Sequence, residues 1–452
     1  MMLTKWLNRM VKIILLIFFI TQGKAQQRTL QEPHRLIDTI TTLTLPAAEA
    51  LARANYPLLK QQSLIRTAGD LQQQNINSGW LPQFTLGAQA TMQSDVTRVN
   101  ISVPGIKIEA PERDQYKIFT ELNQLLYDGG VSAIQRNMSR LESDAKSQQL
   151  EVEMYQLKQK VRSLYIGVIY FDQLMQQQLL AMKDIQTGIA TTTALVNNGV
   201  AFRSNVQVLQ AELLRAKQRQ LELEGSRAAL VNTLSVLINR QLDSNTTLVA
   251  PTLSADNIAS ASGPVLHRAE LLAIEKNDAL LRAKRSLVAA GNKPRVGLFV
   301  QGGYGRPALN MLQNQFDWYY IGGIRFTWNL AGLYTAKKDK ELIELQQRTL
   351  DTEKETFIVN TNAALAGAKA EVERIRKVIE TDDEIITLRV RVANAARAQL
   401  ENGVITANDY LREINAADQA HQARITHQVQ LLKALIDYNN LQGEPNSIKH
   451  NQ

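Results

Sequence analysis

The chain has 452 residues, a formal net charge of +8 and no cysteine. The missing cysteines exclude disulfides, thiolate metal sites and lipid anchoring through an N-terminal cysteine, so buried surface has to hold the chain together. Four of the basic residues, Lys5, Arg9, Lys12 and Lys24, fall within residues 1–25; without them the charge is +4 (8 minus 4), which argues against nucleic acid as a partner.

Residues 1–25 read as a secretory signal peptide. Basic residues precede the apolar run Ile13 to Ile20, and Gly23-Lys24-Ala25 is a small-x-small cleavage site. The run is too short for the roughly 20 apolar residues of a membrane helix. The mature chain is expected to begin near Gln26, with an N-terminal segment over 26–45.

A first repeat is expected over 46–242, opening with helix near Ala47 to Gly79. In Gln83 to Gln93 the apolar Phe84, Leu86, Ala88, Ala90 and Met92 alternate with polar residues and glycine, as in a strand with one apolar face. A return strand near Gln115 to Leu126 closes a hairpin (83–126). The charged stretch Asp95 to Asp114 is its outer loop.

No proline occurs between Pro111 and Pro251 or between Pro307 and Pro445, and these gaps can hold long helices. In the first gap Met154, Leu157, Val161, Leu164, Val168, Phe171 and Met175 step by three and four, continuing through Met182, Ile185 and Ile189. After a break at Asn197-Asn198-Gly199, a second seam runs through Val206, Leu209, Leu213, Ala216, Leu223, Leu230, Leu234 and Leu237. Together they predict a helical hairpin over 131–240. Ile166, Ile169 and Tyr170 form a second apolar line beside the first seam, as a helix in a closed tube needs.

A linker over 243–263, rich in Ser, Thr, Asn and Ala, is expected at mid-height. The second repeat, 264–441, follows the same plan: helix over Pro264 to Asn292, hairpin over 295–328, helical hairpin over 336–441 broken at Glu401-Asn402-Gly403. A 65-residue helix would be about 100 Å long. The short helices 205–240 and 264–292 together match the long one at 131–196, so two stacked short helices are expected beside each long helix. The tail, 442–452, should lie at mid-height too. Pro82 aligns with Pro294, Gly130 with Gly332, and Asn198-Gly199-Val200 with Asn402-Gly403-Val404.

Trp318, Tyr320, Phe326 and Trp328, with Phe84 of the first hairpin, are the expected membrane-girdle aromatics, and Arg325 and Thr327 would face a wet lumen. Four strands cannot close, and an open edge in lipid leaves backbone groups unpaired at several kcal/mol each. Three chains would give about twelve strands with room for a lumen, and a cyclic trimer is expected. The expected class is mainly α with a membrane β-barrel portion. A soluble sheet packed on helices is the alternative for the strands.

Leu43-Thr44-Leu45-Pro46-Ala47-Ala48, Ala54-Asn55-Tyr56-Pro57, Trp80-Leu81-Pro82, Leu126-Tyr127-Asp128-Gly129-Gly130 and Arg268-Ala269-Glu270-Leu271, in this order, resemble the TolC outer-membrane efflux family across the mature chain. The resemblance implies a homotrimeric channel-tunnel in the Gram-negative outer membrane, a 12-strand β-barrel in lipid on a 12-helix α-barrel in the periplasm. It also implies partners: a periplasmic adaptor, and an inner-membrane pump of RND or ABC type that supplies the energy. No G-x-x-x-x-G-K-S/T loop for nucleotide is present, in keeping with a passive exit duct that has no cofactor. Cargo is left open among small molecules, metal ions and polypeptides.

By the same resemblance the helical tips contact the adaptor: Gly199, Val200, Ala201 and Phe202 in the first repeat, Gly403, Val404, Ile405 and Thr406 in the second. In family members two acidic residues after the second tip ring the entrance; here these positions are Asp409 and Arg412. The first tip has Asn205 where an acid is common, and Ile405 replaces a basic partner, so a gate ion pair between those two positions is absent. For Asp409 a plain helix N-terminal charge stands beside the gate role.

An enzyme would need clustered catalytic groups, and His34, His267, His421, His427 and His450 have no metal-site spacing. The run Asp382-Asp383-Glu384 reads as solvated helix surface. The rival from another class is a soluble periplasmic coiled-coil adaptor or scaffold, which accounts for the heptads and not for the aromatic-flanked strands.

Overall fold

Proline placement and glycine breaks divide the chain into elements in the computed structural model, which describes residues 41–97, 111–243, 246–251, 267–311 and 313–443. The expected signal peptide, the segment up to residue 40, the centre of the charged loop, most of the linker and the tail beyond Gly443 lie outside the described residues.

The first helical stretch is two helices rather than one. α1 (Leu45–Asn55) starts on a Thr44 cap and stops because Pro57 holds Tyr56 in extended geometry (φ −70°, ψ 126°). A 3₁₀ turn (Pro57–Lys60) then leads into α2 (Gln61–Ser78). Ahead of α1, β1 (Thr42–Leu43) pairs in parallel with β4 (Thr247–Leu248).

The larger sheet has the order β2 (Gln83–Met92), β3 (Asp114–Tyr127), β5 (Arg295–Arg306), β6 (Asp317–Thr327), antiparallel throughout. Among the described residues its outer strands β2 and β6 have one neighbour each. A ten-residue strand extends about 33 Å, and at a tilt of about 45° it covers the ~25 Å apolar band of an outer-membrane barrel. No helix is layered on either face among the described residues, so the alternative of a sheet covered by helices does not hold.

Two long helices run from this sheet. α3 (Val131–Asn197, 67 residues) and α6 (Gly332–Glu401, 70 residues) are each about 100 Å long at 1.5 Å per residue. α4 (Arg203–Ile238) and α7 (Ala407–Gln442) return from the tips, and α5 (Ala269–Gly291) precedes β5. In the half near the tips the side-by-side order is α4, α3, α7, α6. In the half near the sheet it is α2, α3, α5, α6.

The short helices do stack, in a different pairing from the one their lengths suggest. The His267 N–H donates to the Gln442 carbonyl at 2.9 Å, so α5 stands on the end of α7. The Asn55 side chain donates to the Ile238 carbonyl at 3.1 Å, so the α1–α2 segment stands on the end of α4. Either pairing satisfies the length sum, which is why sequence alone does not choose.

The joints lie over one apolar core. Leu43, Ala48 and Ala52 pack on Val161, Tyr165 and Val168 of α3, with Leu234 and Ile238 of α4 and Ile436 of α7. Tyr165 is fully buried; its hydroxyl sits 2.6 Å from the Leu43 carbonyl and 2.8 Å from that of Val249, and burial pushes its pKa up to about 12. Ile166 and Ile169, the second apolar line of α3, are consumed in this core within one chain. The unpartnered seams lie instead on α2, α4 and α6.

Candidate functional site

The two helical tips share one backbone solution. At the end of α3, Gly199 adopts φ +75°, and the N–H groups of Gly199 and Val200 reach the carbonyls of Val196 and Leu195 at 3.0 and 2.8 Å. At the end of α6, Gly403 adopts φ +69°, with Gly403 and Val404 bonded to Leu400 and Gln399 at 3.0 and 2.8 Å. This left-handed turn satisfies the last helical carbonyls, and a side chain there would be strained. A Cβ on Gly403 would stand 3.0 Å from Val200 Cγ1, so the tips touch.

Their side chains differ. Val200, Phe202 and Val404 are exposed, Phe202 to 80 %, and Thr406 is exposed, while Ala201 and Ile405 are half-buried. α4 starts from Phe202 with no side-chain cap, and Asn205 sits in its first turn, its N–H bonded to the Phe202 carbonyl. α7 starts from a capping box. The Thr406 hydroxyl accepts from Asp409 N–H, the Asp409 carboxylate accepts from Thr406 N–H, both at 3.3 Å, and the Thr406 hydroxyl donates to that carboxylate at 2.7 Å. Arg412 approaches the other carboxylate oxygen at 3.7 Å and bonds Glu413 at 3.1 Å. The bonds from Thr406, with Arg412 adding to them, hold the Asp409 carboxyl below its ordinary 3.8. Asp409 and Arg412 are thus brought together on one helix, and Asn205 lies at the other tip.

Above the tips both hairpins share a core. Ile185 of α3, Leu209 and Ala216 of α4, Ala396 and Leu400 of α6 and Tyr410 and Ile414 of α7 are buried together. A polar tie crosses it: Arg397 on α6 pairs with Asp184 on α3 at 2.5 Å, and the Tyr410 hydroxyl on α7 donates to the Asp184 carbonyl at 3.1 Å. The Tyr410 ring lies against Gly188, where a Cβ would come within 2.6 Å of it. Burial raises the phenol's pKa. Sequence reading missed these residues, because the partners are more than 200 positions apart; the one local signal is a glycine inside an uninterrupted heptad stretch.

Asp382 corrects another expectation. It is buried and pairs with Nδ1 of His427 at 2.6 Å, while Asp383 pairs with Arg424 at 2.5 Å, so Asp382 is a helix-to-helix contact and not solvated surface.

At the other end of the helices the sheet has two unlike faces. Residues in register share a face, so Phe84, Leu122 and Val300 form one rung with Gly322, and Ala88, Ile118, Tyr304 and Trp318 another. Phe84, Trp318, Tyr320 and Phe326 all stand exposed on this apolar face. Trp328, just past β6, donates from its ring N–H to the Asn292 carbonyl at 3.0 Å. The opposite face carries Gln83, Thr85, Gln89, Glu121, Asn123, Gln301 and Arg325.

The chain's relatives agree with this geometry. Residues 50–240 match the family model described as outer membrane efflux protein. No curated protein sequence matches the chain. Among solved structures it has the fold of the outer membrane protein VceC of Vibrio cholerae (14 % identity, TM-score 0.64, covering 88 % of this chain and 96 % of that one). It also matches the CmeC outer membrane channel of Campylobacter jejuni (14 %, TM-score 0.64, 88 % and 85 %) and the MtrE outer membrane channel of Neisseria gonorrhoeae (17 %, TM-score 0.61, 88 % and 88 %). The family model thus matches a segment of 191 residues, and the solved channels share this chain's fold over 88 % of its length.

Proposed function

We propose that three copies of this chain close into a passive outer-membrane exit duct that receives cargo from a periplasmic adaptor and an inner-membrane pump. The carrying observation is a sheet with one apolar and one polar face and an unpaired strand at each edge. In lipid such edges must be paired, and the β2 edge of one copy against the β6 edge of the next does so with every side chain on its proper face.

The helices repeat the logic. Near the tips the outer columns are α4 and α6. Exposed Leu214 and Leu221 on α4 lie about 16 and 27 Å above the tip, and exposed Leu388 and Ile385 on α6 about 20 and 24 Å. Near the sheet the outer columns are α2 and α6. Exposed Leu71 and Leu64 lie about 10 and 21 Å below it, and exposed Leu342 and Leu345 about 15 and 20 Å. Both edges of the chain thus carry exposed aliphatic side chains at similar heights, as a closing ring of identical copies requires.

The exposed tip residues Val200, Phe202 and Val404 are the proposed adaptor contact, and Asn205, Asp409 and Arg412 the proposed gate surroundings. A soluble adaptor or scaffold would leave the apolar sheet face in water.

The test uses the natural absence of cysteine. Leu214→Cys combined with Leu388→Cys should give a covalent trimer with a short bismaleimide in outer-membrane fractions extracted only by detergent. Recovery of a salt-soluble monomer, or of a detergent-solubilised monomer that conducts ions, would overturn the proposal.

A further inference from the structure

Close to the end of the sheet that meets the helices, the polar face carries one joined group spanning three strands. Arg325 on β6 reaches across β5 to the Glu121 carboxylate at 3.1 Å and the Asn123 side-chain oxygen at 3.2 Å, both on β3. Asn123 donates to the same carboxylate at 3.0 Å. On its way the guanidinium passes 4.4 Å from the centre of the Phe299 ring on β5. Asn123, Phe299 and Gly323 share a rung, and a Cβ on Gly323 would lie 3.3 Å from that ring. The glycine lets the ring lie toward β6, and the ring gives the arginine a flat seat to cross.

An exposed ion pair of this kind contributes only about 0–1 kcal/mol to stability, and the Arg325 side chain is half exposed. Its electrostatic effect is larger when it is repeated around a narrow aqueous bore with low-dielectric walls, which focus the field of any unbalanced charge. At the far end of the same face the register sets two opposite charges, Lys117 and Asp317, on either side of Gly305 on one rung. Of the charged residues on the described strands of this face, Arg295 stands outside these two combinations.

We propose that the Arg325–Glu121–Asn123 group, repeated three times, is a charge-balanced belt that sets the local potential of the barrel lumen, with Glu121 as the residue that keeps the arginines from forming an anion-selective ring. This rests on the closed-channel reading above. The belt would let solutes of either sign pass this level, and it makes Glu121 and Arg325 specificity-determining residues for the charge of the cargo.

The experiment places one thiol on the rung of Glu121. Gln301→Cys is the only cysteine in the chain, and it shares that rung and face. Its labelling rates by an anionic and a cationic methanethiosulfonate are measured in intact outer membranes and divided by the rates for a free small thiol.

Against the Gln301→Cys parent, adding Glu121→Gln should raise the anionic-to-cationic ratio about tenfold, and adding Arg325→Gln should lower it about tenfold. Adding both should return it to the parent value. Each single variant carries the comparison by itself if the other fails to assemble. Equal ratios in all backgrounds, with the thiol labelled from water, overturn the belt and leave the channel standing. A thiol reached only by a membrane-permeant reagent overturns the lumen placement, and with it the channel reading beneath the belt.

Discussion

Tip one, Gly199 to Phe202, and tip two, Gly403 to Thr406, have the same left-handed glycine and the same pair of backbone hydrogen bonds, but their side chains differ. The first spends its helix-start position on an exposed phenylalanine and leaves α4 without a side-chain cap. The second spends it on a threonine that closes a capping box with Asp409. The duplicated backbone therefore carries one tip with an exposed aromatic and one tip with a side-chain cap, so the proposed trimer would have threefold and not sixfold symmetry at its entrance.

The largest effect is expected where the tips differ most. Phe202→Ala should weaken binding of the cognate adaptor at least tenfold, since large exposed aromatics dominate such interfaces, whereas Val404→Ala should weaken it several-fold less. Surface plasmon resonance on purified partners checks both, and equal losses would erase the proposed division.

Next comes the tie that holds the hairpins together. Tyr410→Phe keeps the ring against Gly188 and removes the hydroxyl's bond to the Asp184 carbonyl, which should cost about 1 kcal/mol in denaturant unfolding. Arg397→Ala should raise the frequency of open events in single-channel records, because it releases α6 from α3.

A smaller effect concerns the cap itself. Thr406→Ala should destabilise α7 by about 1 kcal/mol, while Phe202→Ser should stabilise the start of α4 by a comparable amount at the expense of adaptor binding.

The smallest effect is in pH. The Asp409 carboxyl is held below its ordinary value by the folded tip, so the charged cap is intact above about 3.8 and its contribution fades as pH falls through the lowered folded value. The difference in proteolytic nicking between the two tips should shrink on acidification through that range, and this pH dependence should be absent in Asp409→Asn.

Much of the architecture was legible from two simple exclusions. Proline is excluded from helix interiors, so the proline-free stretches located α3, α4, α6 and α7, and alternation located β2 and β6. What escaped was set by contact between distant parts. Pro57 divides the first helical stretch through its effect on Tyr56. The choice of which short helix stands on which depends on end contacts such as His267 to Gln442, and residue counts are blind to them. Asp184 with Arg397, Glu121 with Arg325 and Asp382 with His427 are ordinary polar residues in the sequence, and only the folded register makes them pairs.

The stacked short helices carry a mechanical consequence. α3 and α6 run unbroken from sheet to tip, while α4 and α7 each meet a separate helix end to end at mid-height. A continuous helix transmits torsion along its hydrogen-bonded backbone, and a butt joint between two helices does not. In the proposed channel a twist applied at the tips would reach the sheet through two columns in each chain and stop at the joints of the other two, so the tips could turn without shifting the strand register.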